Sequence, residues 1–226
     1  MRAGLYFTPP PGSSLTRAAA LWLGRNAFDG EPTRAPDETL DPLVADPARY
    51  GFHATMKAPF RLASGLALAE LDERLASFCA SRDPVRIDSL GLAEIEGFLA
   101  LVPKEPPASL AALEEAVVTA FEPFRAPASE QDLARRRPHL LTERQREHLE
   151  RFGYPYVLSE FRFHMTLTGR LEKDAAKAVT KRLRKALGDL DGAPRTIDSL
   201  ALFVEPAPGA PFRVHSLHPF RSPTRP

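Results

Sequence analysis

An internal repeat constrains this chain more than any other feature of its sequence. The segment FHATMKAPFRL, which begins at Phe52, resembles FHMTLTGRL, which begins at Phe163. Each segment precedes a helical pattern and then the same tetrapeptide, Ile-Asp-Ser-Leu, at 87–90 and 197–200. The histidine of each segment lies 34 positions before the tetrapeptide in the first copy and 33 in the second. Two matches in the same order at nearly equal separation indicate one unit that occurs twice.

The patterns inside each copy predict an α+β fold. Apolar residues at helical spacing follow each histidine segment: Leu68, Leu71, Leu75 and Phe78, then Ala176, Val179, Leu183 and Leu187. Strand-like segments that predict hairpins come next: 85–92 with 97–102, and 196–204 with 212–217. Ser109 and Thr142 are candidate N-caps of further helices. We therefore expect a single bilobal domain over 1–226, with lobes at about 1–105 and 106–220, a chain crossover allowed between them, and a disordered tail at 221–226.

Composition limits the classes of partner. The chain of 226 residues carries 30 basic and 29 acidic side chains, for a net charge of +1. That balance lacks the basic footprint of proteins that bind extended nucleic acid. The lone Cys79 excludes an internal disulfide and a cysteine-based zinc site, and a buried structural role is expected for it. No signal peptide or membrane-length apolar segment is present in this sequence, so the expected location is the cytoplasm, with no membrane partner.

Strand alternation sorts the two histidine segments into a polar and an apolar face. In the first, His53, Thr55 and Lys57 share one face. In the second, predicted as a strand over 161–169, the corresponding stripe has four members: Arg162, His164, Thr166 and Thr168. Burial of such stripes without partners is unfavourable, so we expect them to line a cleft between the two lobes.

Two imidazoles on either side of one phosphorus can hydrolyse a phosphodiester. With an unperturbed pKa near ~6.5, one ring takes a proton from water while the other delivers one to the leaving oxygen. The hydroxyls of Thr55 and Thr166 would bind the phosphate oxygens, and Lys57 would add positive charge. This chemistry needs neither a metal nor a cofactor, and none is expected.

A single His-x-Thr is a weak signal, because a histidine in a strand is more often structural. Its repetition at matching positions of a duplication is what favours a catalytic pair. The remaining histidines have no counterpart in the other copy and are expected to be structural or at the surface: His139, His148, His215 and His218. The run Arg135–Arg137 could shield a phosphate, but a solvated surface run is the preferred interpretation.

These motifs resemble the two-histidine (2H) phosphoesterase superfamily, which carries one His-x-Thr/Ser motif in each lobe. The flanking segments, Tyr50–Lys57 and Phe161–Gly169, together with Gly153–Tyr156, are similar to an uncharacterised branch that is associated with phosphonate-utilisation genes. The resemblance implies a bilobal, duplicated, LigT-like α+β fold, with two antiparallel sheets facing a central cleft and helices outside.

By the same resemblance, His53 and His164 are catalytic and Thr55 and Thr166 bind phosphate. Lys57, Thr168, Tyr50 and Arg162 are weaker substrate-contact candidates. The implied reaction opens a small cyclic phosphodiester, of a nucleotide or of ribose, in phosphonate metabolism. Two alternatives stay open: processing or ligation of 2′,5′-linked RNA ends, which predicts a basic, aromatic-lined extension of the cleft, and a non-catalytic nucleotide- or RNA-binding module of the same fold.

Overall fold

A computed structural model describes residues 1–222, except for the side chains of Glu130, Gln131 and Arg135. The helices of this part are α1 Ser14–Leu23, α2 Asp41–Tyr50, α3 Leu68–Ala80, α4 Ala108–Ala120, α5 Glu130–Arg135, α6 Glu143–Phe152 and α7 Lys173–Leu187. The strands are β1 Arg2–Phe7, β2 Ala54–Phe60, β3 Val85–Ile87, β4 Leu90–Ile95, β5 Phe98–Pro103, β6 Met165–Thr166, β7 Arg195–Ile197, β8 Ser199–Glu205 and β9 Arg213–Pro219. Short 3₁₀ turns occur at Glu122–Phe124, Pro138–Leu140, Leu158–Glu160 and Gly188–Leu190.

The α+β class predicted from the sequence is confirmed. In the described part, seven strands form one antiparallel sheet in the order β4-β5-β6-β2-β1-β8-β9, and β3 pairs with β7 in a small second sheet. The expectation that the two histidine strands belong to separate facing sheets needs correction. β2 and β6 hydrogen-bond edge to edge at Ala54 and Met165, which satisfies backbone groups that two separate sheet edges would leave unpaired.

The two halves of the chain exchange strands. The hairpin β4–β5, from the first half, pairs through β5 with β6, from the second half. The hairpin β8–β9, from the second half, pairs through β8 with β1. The strands that lead into the repeated Ile-Asp-Ser-Leu tetrapeptides, β3 and β7, pair with each other. The first histidine strand, β2, therefore lies between one strand of each half, whereas the second, β6, lies between two strands of the first half.

Helices cover the apolar face of the sheet. α4 packs on β2, α3 packs on β8 and β9, and α1 packs on α2 and α7. Cys79 of α3 is buried, and burial raises the pKa of its thiol to about 12, which fits the structural role expected for it. His218 lies 2.7 Å from an Asp72 carboxylate oxygen and so ties β9 to α3. Among residues 1–222, no helix combines the length and apolarity that a membrane crossing requires.

Helix ends test the capping predictions. Thr142 caps α6 as predicted: its hydroxyl accepts from the Gln145 amide at 3.2 Å, and the Gln145 side chain accepts from the Thr142 amide. Ser109 was the wrong N-cap for α4: Pro107, in an extended conformation, occupies the cap position, two residues earlier, and Ala108 is the first helical residue. Within the segment 221–226, which was predicted to be a disordered tail, Arg221 donates two hydrogen bonds to Asp83. Residues 223–226 lie outside the described residues.

Candidate active site

The register of β2 and β6 brings the two histidine motifs together. Ala54 and Met165 are direct partners on antiparallel strands. Continuing this register by one residue each way sets His53 beside Thr166 and Thr55 beside His164. The two histidines are then diagonal neighbours, and residues in that relation are typically about 7–8 Å apart. Each imidazole therefore lies next to the threonine of the other motif, on the same face of the sheet.

A backbone carbonyl fixes each ring in the same way. Nδ1 of His53 lies 2.8 Å from the Gly51 carbonyl oxygen, and Nδ1 of His164 lies 2.7 Å from the Arg162 carbonyl oxygen. The carbonyl requires Nδ1 to donate, so Nε2 carries the lone pair of the neutral ring. Nε2 of His53 is 3.3 Å from the Thr55 hydroxyl. Both rings thus have one nitrogen anchored and the other available for proton transfer.

His53 lies in a mostly aromatic environment. Its ring stacks on Tyr6 at 4.0 Å between centroids, with Phe203 at 5.9 Å and Tyr50 at 6.0 Å. Burial lowers the pKa of His53 to about 4; the Gly51 carbonyl acts in the opposite direction, and the charge of His164 lowers the pKa further. His53 is therefore a neutral imidazole at neutral pH.

His164 has fewer ring neighbours. Phe98 is the single aromatic ring found near it in the described part of the chain, at 5.8 Å between centroids. Its hydrogen bond to the Arg162 carbonyl is exposed to solvent. The predicted strand over 161–169 is regular only at Met165–Thr166, because the amides of Leu167 and Thr168 both donate to the Leu99 carbonyl. The second motif is consequently held on a shorter and more irregular segment than the first.

Two adjoining cavities receive the motif side chains. The first, of about 320 Å³, is lined by His53, Thr55, Thr166 and Tyr50. The second, of about 220 Å³, is lined by Thr55, His164 and Arg162. Thr55 and Phe98 line both. The two histidines therefore open onto one concave region with Thr55 between them.

Lys57 does not share the face of His53, and this expectation is corrected. Tyr6 of β1 pairs with Thr55, but Leu5 pairs with Lys57, so Met56 is an extra residue in a β-bulge. A bulge interrupts the alternation of side chains, and Lys57 turns to the core side with Leu5. There its ammonium donates to Glu122 at 2.8 Å and to the Val118 carbonyl at 3.2 Å. Burial lowers the pKa of Lys57, although Glu122 acts in the opposite direction.

The side chain of Thr168 also forms a hydrogen bond within the protein. It is fully buried in the cavity wall, and its hydroxyl oxygen accepts a hydrogen bond from the Leu99 amide at 2.9 Å. This geometry indicates that Thr168 holds β5 against the second motif and does not contact the substrate. The other two weaker candidates stand at the cavities: Tyr50 is half-buried, and Arg162 is exposed.

Sequence reasoning missed Tyr6 and Arg136 in the lining of the first cavity and gave no role to Tyr154 there. Tyr6 belongs to a strand whose alternation could have placed it on the polar face, had the pairing of β1 with β2 been known. Arg136 belongs to the run that was interpreted as a surface feature. Within residues 1–222, no group of three or more His, Cys, Asp or Glu side chains is arranged to hold a metal ion.

A family model described as "Protein of unknown function (DUF1045)" matches residues 55–213. The chain belongs to the DUF1045 family. A protein of Janthinobacterium sp. (strain Marseille), named ribose 1,5-bisphosphate phosphokinase PhnN, is 39% identical over 222 residues, which cover 93% of this chain and 49% of that protein. A protein of the same name from Laribacter hongkongensis (strain HLHK9) is 36% identical, over 95% of this chain and 50% of its own length. This DUF1045 chain thus spans about half the length of the curated relatives it matches.

Solved structures show weaker likeness to this DUF1045 protein. The protein TT0787 of Thermus thermophilus has a TM-score of 0.48 at 14% identity, with 99% of this chain and 100% of that chain covered. E. coli LigT in complex with phosphate has a TM-score of 0.45 at 14% identity, with 98% of each chain covered.

Proposed function

We propose that this protein is a phosphoesterase that opens a cyclic phosphodiester by acid–base catalysis with His53 and His164. The observation that carries the proposal is the pair of imidazoles on adjacent strands, each anchored through Nδ1 by a backbone carbonyl. A binding module needs no such pair, because a neutral ring held for proton transfer contributes little to holding an anion. The residues follow the 2H phosphoesterase pattern, and the reaction needs no metal ion.

The two histidines take opposite roles in this scheme. His53, neutral at neutral pH because burial lowers its pKa to about 4, accepts the proton of the attacking water at Nε2. His164 delivers a proton to the leaving oxygen as the bond from that oxygen to phosphorus breaks. The hydroxyls of Thr55 and Thr166 donate to the non-bridging oxygens, where charge increases in the transition state. Water adds across one P–O bond, so the cyclic diester becomes a phosphomonoester and a free hydroxyl.

Ribose cyclic phosphate is the substrate class we favour. The two relatives that are about twice as long are named for a kinase of ribose 1,5-bisphosphate. Opening a 1,2-cyclic phosphate on ribose 5-phosphate, with cleavage at the 2-oxygen, leaves ribose 1,5-bisphosphate. The proposed reaction would therefore supply the compound for which those relatives are named, and this link supports a role in phosphonate metabolism.

RNA processing is less well supported by the cavity lining. A groove of about 890 Å³ next to the first cavity is lined by five arginines: Arg2, Arg49, Arg61, Arg125 and Arg136. Four of these are paired with carboxylates: Arg2 and Arg49 with Glu205, Arg61 with Asp132, and Arg125 with Glu122. Paired arginines offer little free charge for a polynucleotide backbone. The basic extension that RNA would need is thus largely neutralised.

Turnover in EDTA tests the proposal. Wild-type protein should open ribose 1,2-cyclic phosphate and its 5-phosphate, and His53→Ala or His164→Ala should each lower kcat/KM by about 10²–10⁴-fold. His215→Ala is the matched control, since His215 is an exposed histidine on β9 and its loss should change kcat/KM by less than twofold. Activity that survives both motif substitutions, or that disappears in EDTA, would refute the mechanism.

A further inference from the structure

Tyr6 lines the cavity beside His53 and carries a buried hydroxyl that the proposed reaction does not use. Tyr6 is fully buried, and in the described part of the molecule its hydroxyl has no hydrogen-bond partner. The ring lies over Gly4, where any Cβ would come within 2.7 Å of the hydroxyl oxygen. Burial raises the pKa of Tyr6 well above its usual value, so the hydroxyl keeps its proton and can donate. A buried donor without a partner calls for an acceptor, and a ligand in the cavity that Tyr6 lines can supply one.

A guanidinium without a carboxylate partner among the described side chains stands at the same cavity. Arg136 lines both the first cavity and the neighbouring groove. Its charge lies over the ring of Tyr154, with the guanidinium carbon 4.8 Å from the ring centroid. No described carboxylate lies within 4.0 Å of it, whereas the other four arginines of the groove are ion-paired. Among the described side chains, Arg136 is therefore the arginine of this groove without a carboxylate partner.

These groups are near one another. The positive charge of Arg136 acts to lower the pKa values of both Tyr6 and Tyr154, against the larger effect of burial, and Tyr50 interacts with both tyrosines as well. All four side chains line the first cavity. Arginine binds phosphate oxygens through two parallel N–H groups, and tyrosine hydroxyls add single donors. The cluster thus has the composition of a phosphate site with an aromatic wall.

We propose that Tyr6, Tyr50, Arg136 and Tyr154 form a second anion subsite, which binds the terminal phosphomonoester of a cyclic sugar phosphate. This inference rests on the proposed function, because the cyclic phosphate itself occupies the space between His53 and His164. The first cavity, at about 320 Å³, is at the small end of the roughly 300–1,000 Å³ range of small-molecule sites. That size suits a sugar carrying two phosphates better than an oligonucleotide. Arg136 would therefore determine specificity without taking part in proton transfer.

Two substrates that differ only in the terminal phosphate test the subsite. Arg136→Met should lower kcat/KM for ribose 1,2-cyclic phosphate 5-phosphate by about 10- to 100-fold, mostly through KM. For ribose 1,2-cyclic phosphate, kcat/KM of the same variant should change by less than threefold. Tyr6→Phe removes only the unpaired hydroxyl. It should lower kcat/KM for the 5-phosphorylated substrate by about threefold or more and leave that for ribose 1,2-cyclic phosphate nearly unchanged. Arg61→Met is the matched control, since Arg61 is paired with Asp132 in the groove, and both substrates should stay within twofold.

Equal losses on both sugar substrates, or no loss with Arg136→Met, would overturn the subsite. A dinucleotide that ends in a 2′,3′-cyclic phosphate is the third substrate. If Arg136→Met lowers kcat/KM for this dinucleotide as much as for ribose 1,2-cyclic phosphate 5-phosphate, the site binds a polynucleotide and the proposal is wrong. Calorimetric binding of ribose 5-phosphate separates the two proposals. Binding that depends on Arg136 supports the subsite even if no substrate turns over, which would refute only the proposed reaction. Absence of binding to the folded wild-type protein would overturn the subsite.

Discussion

The two His-x-Thr motifs have the same local design but different surroundings. In both, the carbonyl two residues before the histidine anchors Nδ1. His53, however, is enclosed by Tyr6, Tyr50 and Phe203, whereas His164 has Phe98 nearby and an exposed anchor. The two copies of the motif thus differ in their aromatic neighbours and in the exposure of the anchoring bond, although both histidines are half-buried. The comparison suggests that the surroundings, rather than the motif, assign the roles of base and acid.

The threonines offer the largest test of this comparison short of the histidines themselves. Thr55 lies between the two cavities, while Thr166 lines the first alone. Thr55→Val and Thr166→Val should each lower kcat/KM by about 10²-fold, because each removes a donor to the phosphate oxygens. The corresponding serine variants keep the hydroxyl and should stay within about fivefold of wild type. Loss of activity in the serine variants equal to that in the valine variants would show that the hydroxyls do not bind phosphate.

The anchors of the two histidines should respond differently to substitution. Gly51 has φ +81°, and a Cβ there would lie 2.4 Å from the Ala27 Cβ. Gly51→Ala should therefore move the carbonyl that holds His53, destabilise the protein by about 1–3 kcal/mol and lower kcat by about tenfold. Arg162→Ala keeps the backbone carbonyl and should change thermal stability little. Thermal unfolding and steady-state kinetics of the two variants check these expectations. Similar stability of Gly51→Ala and Arg162→Ala would show that the two anchors do not differ in their tolerance of substitution.

The pH dependence of kcat/KM tests the environment of His53. A base is active when deprotonated, so a pKa lowered to about 4 keeps the base competent at acidic pH. We expect no fall in kcat/KM between pH 7 and pH 5.5, because the base stays deprotonated and the acid, His164, needs its proton. An unperturbed imidazole, with a pKa near ~6.5, would lose about tenfold over the same interval. A fall of that size would show that the aromatic surroundings do not set the protonation of the base.

The fourth position after each histidine should affect stability more than activity. Lys57 is buried on Glu122, and Thr168 accepts from the Leu99 amide. Lys57→Met and Thr168→Val should each lower the free energy of unfolding by about 1–3 kcal/mol, because each leaves a partner unsatisfied. Glu122 keeps Arg125 as a partner, which limits the cost for Lys57. Chemical denaturation measures the loss of stability, and kcat/KM of each variant at 25 °C should stay within threefold of the wild-type value. A large rise in KM for Lys57→Met would show that Lys57 contacts the substrate after all.

The internal repeat predicted much of the fold, and the predictions that failed did so for local structural reasons. Repeated histidines and tetrapeptides predicted an α+β chain with matched strand–helix–hairpin units, and helix α6 begins after its predicted cap, Thr142. The pairing of β2 with β6 was not predictable from either strand, because the choice of a strand partner depends on distant segments. The placement of Lys57 failed because a bulge at Met56 reverses side-chain alternation. Nothing in the local sequence marks that bulge, since strict alternation fits the residues equally well.

The cavity wall was the least predictable part of the site. Tyr6, Arg136 and Tyr154 come from three distant segments that meet only after the sheet has formed. Their residue types are common on surfaces and in cores alike. Motif repetition therefore located the candidate catalytic pair, while the residues proposed to select a substrate emerged only from the folded arrangement.

Leaving-group dependence tests most directly whether the two imidazoles have opposite roles at one phosphorus. The measurement compares His53→Ala and His164→Ala on a ribose phosphodiester with a poor alkoxide leaving group and on its p-nitrophenyl counterpart, which departs without a proton. We predict that His164→Ala recovers to within about tenfold of wild type on the p-nitrophenyl ester, while His53→Ala remains at least about 10²-fold impaired on both. Equal impairment of the two variants on both esters, or recovery of His53→Ala alone, would contradict the assignment of opposite roles.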